Sequence, residues 1–432
     1  MIPESTRNRG VTVDVAVVGA GYVGLVQGVG LAVLGARVRL AEKDPKKLAS
    51  LSEGRIPIFE AGLEDAMSDA IEKGNLTFHS DNIDVAQKSD VVFLCLPTPM
   101  SIDGVADLSF LNGVLAELAE ASIKATIVIK STVPVGTTER MARRYQGVFP
   151  VLHNPEFLRE GTALDDFLHP DRVVIGGGTQ EERDVVASVY QGVDTETIFT
   201  DATSAELIKY ASNSYLATRI TFVNALANIA ESVGADILDV TRGMGADKRI
   251  GRDFLKPGPG YGGSCFPKDT VALLATSRQA GYEFALLNSV VDVDRSQRHW
   301  VTGNIRRLVG GDLDGATIGM WGVAFKSGTD DTRESPALKI ALVLQAEGAK
   351  VTAYDPEAND PSLSQVDSPI EAARGARLLL VATEWPEFND VDMGAVAEVM
   401  EGDIVYDVRN LLNPEKVRAA GLRYVGLGRP KI

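Results

Sequence analysis

Cys265 closes a glycine-rich run, Gly258-Pro-Gly-Tyr-Gly-Gly-Ser-Cys265, and Phe-Pro-Lys268-Asp269 follows it. Pro267 suits the first turn of a helix, where its missing N–H removes no hydrogen bond. Lys268 and Asp269 then fall at the i+3 and i+4 positions that face back toward the thiol. A thiol at a helix N-terminus beside a lysine is placed to ionise and attack carbon. A buried structural cysteine behind a flexible loop is the alternative. The glycines, Gly262 among them, leave the backbone open to close approach by a ligand. Earlier in the chain, His153-Asn-Pro-Glu156-Phe157-Leu158-Arg-Glu160 brings two carboxylates beside apolar side chains, in a stretch that Asn-Pro breaks out of helix. A carboxylate buried in such a loop can serve as a base near neutral pH. Lys209 and Asn213, spaced i, i+4, project from one helical face. They are either solvated or a donor pair aimed at a developing negative oxygen.

The elements that must position these groups read as alternating strands and helices. Asp14-Val-Ala-Val-Val18 is a buried strand, Gly19-Ala-Gly21-Tyr22-Val23-Gly24 follows at once, and a small-residue helix runs from 23 to 34. The next strand, Val38-Arg-Leu-Ala41, stops at Glu42. That is the G-x-G-x-x-G dinucleotide fingerprint in its required context, with the helix N-terminus facing the phosphates and Glu42 accepting from ribose hydroxyls. Glu42 favours NAD over NADP, because a carboxylate repels a 2′-phosphate; Lys47 stands nearby as a further cofactor-side candidate. Hydrophobic runs at 90–96 and 125–130 are parallel strands buried on both faces, and Cys95 is core. Thr98 and Thr132 lie just beyond their carboxyl ends, either as ligand contacts or as turn formers beside proline. Thr203-x-x-Glu206 predicts a capping box opening the longest helix, to about Ser232, with an apolar stripe through Leu207, Tyr210, Leu216, Ile220, Val223 and Leu226. A helical region after Cys265 ends near Trp300. A second α/β unit starts at Ala316, and Glu347-Gly-Ala-Lys-Val351 echoes Leu34-Gly-Ala-Arg-Val38, with Asp355 where Glu42 fell. It lacks the glycine triad, so a mononucleotide or nucleotide sugar suits it better than a dinucleotide, with Lys326, Arg333 and Arg409 as its basic groups. The expected fold is α/β: two Rossmann-like doubly wound parallel-sheet domains, 1–200 and 301–432, joined by a long central helix and the cysteine-bearing helical region of 201–300.

A chain of 432 residues holds two or three such domains. Its net charge of −16 argues against general nucleic-acid binding. Two cysteines give neither a disulfide framework nor a metal-type pair, so no metal is expected and a reducing cytoplasm is the expected compartment. The first ten residues are polar with no apolar core, so no signal peptide is expected, and no apolar run reaches membrane-spanning length.

Gly21-Tyr-Val-Gly-Leu25, Ser131-Thr-Val-Pro-Val-Gly-Thr137, Asn154-Pro-Glu-Phe-Leu-Arg-Glu-Gly161, Gly260-Tyr261-Gly-Gly-Ser-Cys-Phe-Pro-Lys-Asp269 and Ala324-Phe325-Lys326 stand in the order found in the nucleotide-sugar 6-dehydrogenases, the UDP-glucose/GDP-mannose dehydrogenase family. From 12 to 430 the chain resembles that family. Phe167-Leu-His-Pro-Asp-Arg172, Arg249-Ile-Gly251 and Thr383-Glu-Trp385 lean toward the branch that oxidises UDP-glucose; GDP-mannose or a UDP-hexosamine is the alternative substrate. The resemblance implies NAD-dependent four-electron oxidation of the sugar C6 alcohol to a carboxylate. Cys265 would capture the C6 aldehyde as a thiohemiacetal and carry the resulting thioester. Lys209 and Asn213 match the pair that stabilises oxygen charge, Asp269 with Thr132 the proton relay, and Glu156 the group that assists hydrolysis. Thr98, Glu160, Lys268 and Arg333 match cofactor-side contacts. Phe157, Leu158, Glu160, Lys256, Tyr261, Phe325, Lys326 and Arg409 match the substrate side. Arg249 matches a residue reaching the neighbouring subunit's substrate, which implies a homodimer about the long helix. Two departures stand out: Glu60-Ala-Gly-Leu63 where the family has Glu-Pro-Gly-Leu, and Glu42 where it more often has Asp.

Overall fold

Short runs of Val, Ile, Leu and Phe, each stopped by Gly, Pro or an acid, form the strands of this chain. The computed structural model describes residues 13–100 and 106–430; the N-terminal stretch on which the no-leader expectation rests lies outside them. Two units are distinguished, Met1–Ala211 and Ser212–Ile432.

The first unit holds an eight-stranded sheet: β1 (Asp14–Val18), β2 (Arg37–Ala41), β3 (Leu76–His79), β4 (Val91–Leu94), β5 (Thr126–Ile129), β6 (Val151–His153), β7 (Arg172–Gly176) and β8 (Glu196–Thr200). Their order is β3-β2-β1-β4-β5-β6-β7-β8, parallel except where β6 meets β7. Alternate residues feed separate cores on the two faces: Val15, Val17, Val38 and Leu40 on one, Ala16, Val18, Val92 and Leu94 on the other. Order reverses between β1 and β4, which opens a crevice beyond their carboxyl ends. The fingerprint turn leaves β1 there. Gly19 takes φ +97°, and a Cβ on Gly24 would lie 1.8 Å from the Gly19 carbonyl oxygen, so the turn admits glycine alone at both places.

The second unit repeats the plan with six strands: β9 (Thr317–Trp321), β10 (Lys350–Tyr354), β11 (Ser364–Gln365), β12 (Leu378–Val381), β13 (Ile404–Asp407) and β14 (Arg423–Gly426), in the order β11-β10-β9-β12-β13-β14, all parallel. Both sheets are thus doubly wound, and the helix Ala202–Val233 joins the domains that contain them.

That 32-residue helix departs from expectation in two respects. Asp201, not Thr203, supplies the cap, its carboxylate accepting from the Ser204 N–H at 2.8 Å, because a charged acceptor stands two residues before the expected box. Glu206 is buried and instead accepts from the N–H groups of Gly136 (2.5 Å) and Thr138 (2.6 Å), capping the helix Thr137–Arg144. The helix also buries Glu206, Lys209, Asn213 and Asn224 while exposing Leu207, Tyr215, Phe222 and Ile229, so Leu207 is not part of a core stripe. The last helix before the second sheet runs on past Trp300, from Ala285 to Leu308, because Val301 and Ile305 continue its apolar face into the second core. Among the described residues no helix is long and apolar enough to cross a membrane, and no cluster of His, Cys, Asp and Glu could hold a metal ion.

Candidate active site

At the switch point of the first sheet the helix Tyr22–Val33 begins at Gly21 with no side-chain cap, and nothing lies within 4 Å of where a Gly21 Cβ would stand. No side chain caps this helix N-terminus and glycine leaves room beside it, which suits the approach of a pyrophosphate. Glu42 follows β2 directly, with one oxygen accepting from the Asp44 N–H (3.0 Å) and the other 3.4 Å from Lys47 Nζ. These residues fit a dinucleotide. Tyr22 donates its hydroxyl to Glu60, and Val23 follows in the same first turn. Burial and then Glu60 push the Tyr22 phenol far above its usual range, so it stays protonated. Beyond β4 and β5, the Thr98 hydroxyl donates to the Thr132 carbonyl at 2.9 Å, locking the two loop residues together.

Glu156 is 7% exposed. It accepts from Lys209 Nζ at 2.6 Å and from the Leu158 N–H at 2.8 Å, while Lys209 also stands over the Phe157 ring, 5.7 Å from its centre. Lys209 and Asn213 are buried, not solvated. Burial pushes the Glu156 carboxyl up, but the Lys209 charge and hydrogen bond, with the Leu158 N–H and Lys130, overcome it and hold the group below its usual range. Glu156 is thus ionised at neutral pH. Burial alone would have raised its pKa; the buried cation reverses the sign. Glu160, half-buried, lies close enough to Tyr22 to act on its phenol.

In the second unit Cys265 is the N-cap of the helix Phe266–Gln279, half-buried, with its Sγ 3.6 Å from the Ser264 hydroxyl. One turn on, Asp269 is fully buried and accepts from Asn213 Nδ2 at 2.6 Å; Lys268 Nζ stands 3.8 Å from its other oxygen. The glycine run before the thiol is buried and tied down. The Gly258 N–H donates to Asn224 (2.8 Å), its carbonyl accepts from Gln297 (3.0 Å), and the Tyr261 N–H donates to Asp294 (2.9 Å). Added Cβ atoms at Gly262 and Gly263 would strike the Glu334 carbonyl at 2.7 Å and the Phe325 ring at 2.8 Å. The glycines therefore serve close packing against the loops beyond β9, and the Gly263 N–H donates to the Arg333 carbonyl (3.0 Å).

Those loops carry the basic groups. The Arg409 guanidinium donates to the carbonyls of Ala382 (2.8 Å) and Phe325 (3.0 Å) and lies 3.0 Å from Glu384, binding three strand ends together. Lys326 Nζ lies 5.7 Å from the Phe325 ring centre. Arg333 pairs with Asp331 through two 2.8 Å bonds, and its guanidinium is exposed. Asp355, the counterpart of Glu42, turns inward: its carboxylate accepts from the N–H groups of Val323 (2.6 Å) and Ala324 (3.0 Å) and from the Trp385 indole (3.1 Å). Ser335 caps the following helix. Lys256 and Arg249 are exposed, the latter paired with Asp247 at 2.6 Å.

Several groups beside these residues escape a reading of the sequence. Arg172 stacks its guanidinium 3.7 Å from the centre of the Phe157 ring. Glu60 is buried and accepts from the Gly161 and Ala163 N–H groups, both at 2.7 Å, besides Tyr22, so the altered Glu60-Ala-Gly-Leu63 turn keeps its capping carboxylate. Lys130 is buried at the end of β5 and bonds to Asn154. Arg172 and Glu60 stand in stretches that the family resemblance already marks, though without a role, whereas Lys130 reads only as a polar residue ending an apolar run.

Two doubly wound sheets, one with a glycine fingerprint turn and one with its equivalent turn closed by its own carboxylate, define a dinucleotide-binding protein with a second nucleotide-type domain. The chain belongs to the UDP-glucose/GDP-mannose dehydrogenase family: residues 13–194 match its NAD binding domain, 203–296 its central domain and 319–414 its UDP binding domain. It is 41% identical to UDP-glucose 6-dehydrogenase of Rhizobium meliloti, over 96% of this chain and 99% of that one. To the enzyme of the same name from Pseudomonas aeruginosa it is 39% identical, over 96% and 97%. A UDP-glucose dehydrogenase structure from Pyrobaculum islandicum superposes with a TM-score of 0.89 at 35% identity, over 99% of this chain and all of that one. The chain is an oxidoreductase, and NAD is its cofactor.

Proposed function

We propose that this protein oxidises UDP-glucose to UDP-glucuronate in two successive steps at C6, with the intermediate held on Cys265. The division of labour we infer gives residues 1–200 to NAD, 201–300 to the linking helix and catalytic thiol, and 301–432 to the UDP-sugar. The observation that carries the reading is the thiol at the N-cap of a helix that bears, four residues on, a buried Asp269 bonded to Asn213. A two-electron alcohol dehydrogenase has no use for such a thiol. When bound, NAD accepts the hydride that each oxidation removes from C6. Gly19, Gly21, Tyr22, Val23, Gly24 and Glu42 would hold it, with Lys47, Thr98, Glu160, Lys268 and Arg333 on its flanks.

In the first step Asp269, with Thr132 and a water, takes the proton of the C6 hydroxyl as the alcohol becomes an aldehyde. Cys265 sulfur then bonds to C6, and Lys209 and Asn213 stabilise the negative oxygen so formed. Loss of a second hydride from that carbon leaves a thioester on Cys265. Glu156 takes one proton from water as the water oxygen bonds to C6; the C6–S bond breaks, the sulfur leaves with the electron pair and takes up the second proton of that water, and the product is a carboxylate. Phe157, Leu158, Lys256, Tyr261, Gly262, Phe325, Lys326 and Arg409 would receive the nucleotide sugar. Arg249 would complete the site of a second copy in a homodimer. Cysteine usage favours a cytoplasmic setting.

The test is NADH formed per UDP-glucose consumed, with the sugar limiting. Two per sugar is the expected result. One per sugar would remove the thioester steps, and none would move the reading to GDP-mannose or a UDP-hexosamine.

A further inference from the structure

Lys130 has no part in the chemistry just described, yet it stands beside it. It directly follows β5, and the residue is 6% exposed. Nζ bonds to Asn154 Oδ1 at 2.8 Å and to the Tyr190 hydroxyl at 3.3 Å. Tyr190 donates to the same Asn154 oxygen at 2.6 Å and accepts from Gln27 at 3.1 Å, and Asn154 Nδ2 donates to the Val174 carbonyl at 2.7 Å. Every polar atom of Asn154's side chain is thereby fixed, two residues ahead of Glu156 and across one proline. A buried cation is costly, because its desolvation is repaid only where an opposite charge and hydrogen bonds are well placed, and both of Lys130's hydrogen-bond partners are neutral. Packing alone therefore does not account for a lysine here.

We propose that Lys130 is a positioning residue for Glu156 in the hydrolytic half of the reaction, clamping through Asn154 the short segment that carries the carboxylate. The proposal rests on the reading of Glu156 given above. The titratable groups facing Lys130 are Cys95 beyond β4, His153 at the end of β6, Tyr190, Glu156, and Lys209 on the long helix. Burial, which outweighs Cys95 and Glu156, brings the Lys130 ammonium down to about 8. The Cys95 thiol is pushed up to about 12 and His153 down to about 3, both chiefly by burial, so neither changes charge near neutral pH. As pH rises through about 8, Lys130 loses its charge and one donor to Asn154 weakens. Hydrolysis slows there.

The experiment uses Lys130→Met in the full chain, with Glu156→Gln as reference. Both are followed by single-turnover NADH formation and by intact-protein mass after mixing with UDP-glucose and NAD. The expected result is steady turnover lower by about 10- to 100-fold, a first NADH burst at the wild-type rate, a covalent adduct on Cys265, and loss of the wild type's alkaline limb near pH 8. The unfolding midpoint should hold or rise. Loss of turnover with no adduct, or an unchanged alkaline limb, overturns the proposal. If Glu156→Gln also shows no adduct, the hydrolytic reading of Glu156 fails first and takes the proposal with it. Should Lys130→Met not fold, Tyr190→Phe removes a donor to the same Asn154 oxygen and is judged by the adduct and burst readouts.

Discussion

Lys209 and Glu156 meet at 2.6 Å where their side chains are only 4% and 7% exposed. Removing one partner of such a pair strands a buried charge, which costs about 3–5 kcal/mol. Lys209→Met should lower unfolding stability by that order, and adding Glu156→Gln should return most of it while turnover stays lost. Chemical denaturation of the three proteins checks this; a double variant no more stable than the single one would mean the two charges are not compensating each other. The thiol, Lys268 and Asp269 were legible because they lie within five residues, so helix geometry alone brings them together. Lys209 and Glu156 lie 53 residues apart, and only the packed structure shows the cation that reverses the effect of burial on the carboxyl. Lys130 was illegible for the same reason: it reads as the end of a strand until Asn154 and Tyr190 are beside it.

At the scale of elements, the long helix was legible in extent but not in orientation. Its length follows from an uninterrupted run without proline, ended by Gly234 at φ +79°. Its facing could not follow from the rule that apolar residues lie inside, because this helix turns Asn213 and Asn224 inward and leaves Tyr215, Phe222 and Ile229 at 62%, 55% and 56% exposure. Those three recur every seven residues, about two turns, and so form one stripe. Such an exposed apolar stripe suits a second copy of the chain, the homodimer proposed above. Phe222→Glu should shift the protein toward monomer in light scattering over a dilution series, with its circular dichroism unchanged. An unaltered mass at every concentration would place the contact elsewhere. The cap was misread for a related reason: Thr203 and Glu206 have the right spacing, but Asp201 offered the stronger acceptor and Glu206 was drawn to the N–H groups of another helix.

For the molecule as a whole, the echo between Leu34-Gly-Ala-Arg-Val38 and Glu347-Gly-Ala-Lys-Val351 was enough to announce two sheets of one design. It could not say which strand ends keep their backbone donors open, since that depends on whether the acid after the second strand points outward, as Glu42 does toward Lys47, or inward, as Asp355 does. The inward turn of Asp355 has a consequence for solution conditions. With the Val323 and Ala324 N–H groups occupied from within, an anionic ligand of the second unit must rely more on cationic side chains such as Lys326, whereas the first unit offers neutral backbone dipoles at the helix that begins after Gly21. Attraction between full charges near solvent is screened by added electrolyte far more than hydrogen bonding to a fixed backbone. Raising ionic strength from about 0.05 M to about 0.5 M should therefore weaken UDP binding more steeply than NADH binding when both are followed by calorimetric titration; parallel losses would mean that the two nucleotides are held by the same kind of force.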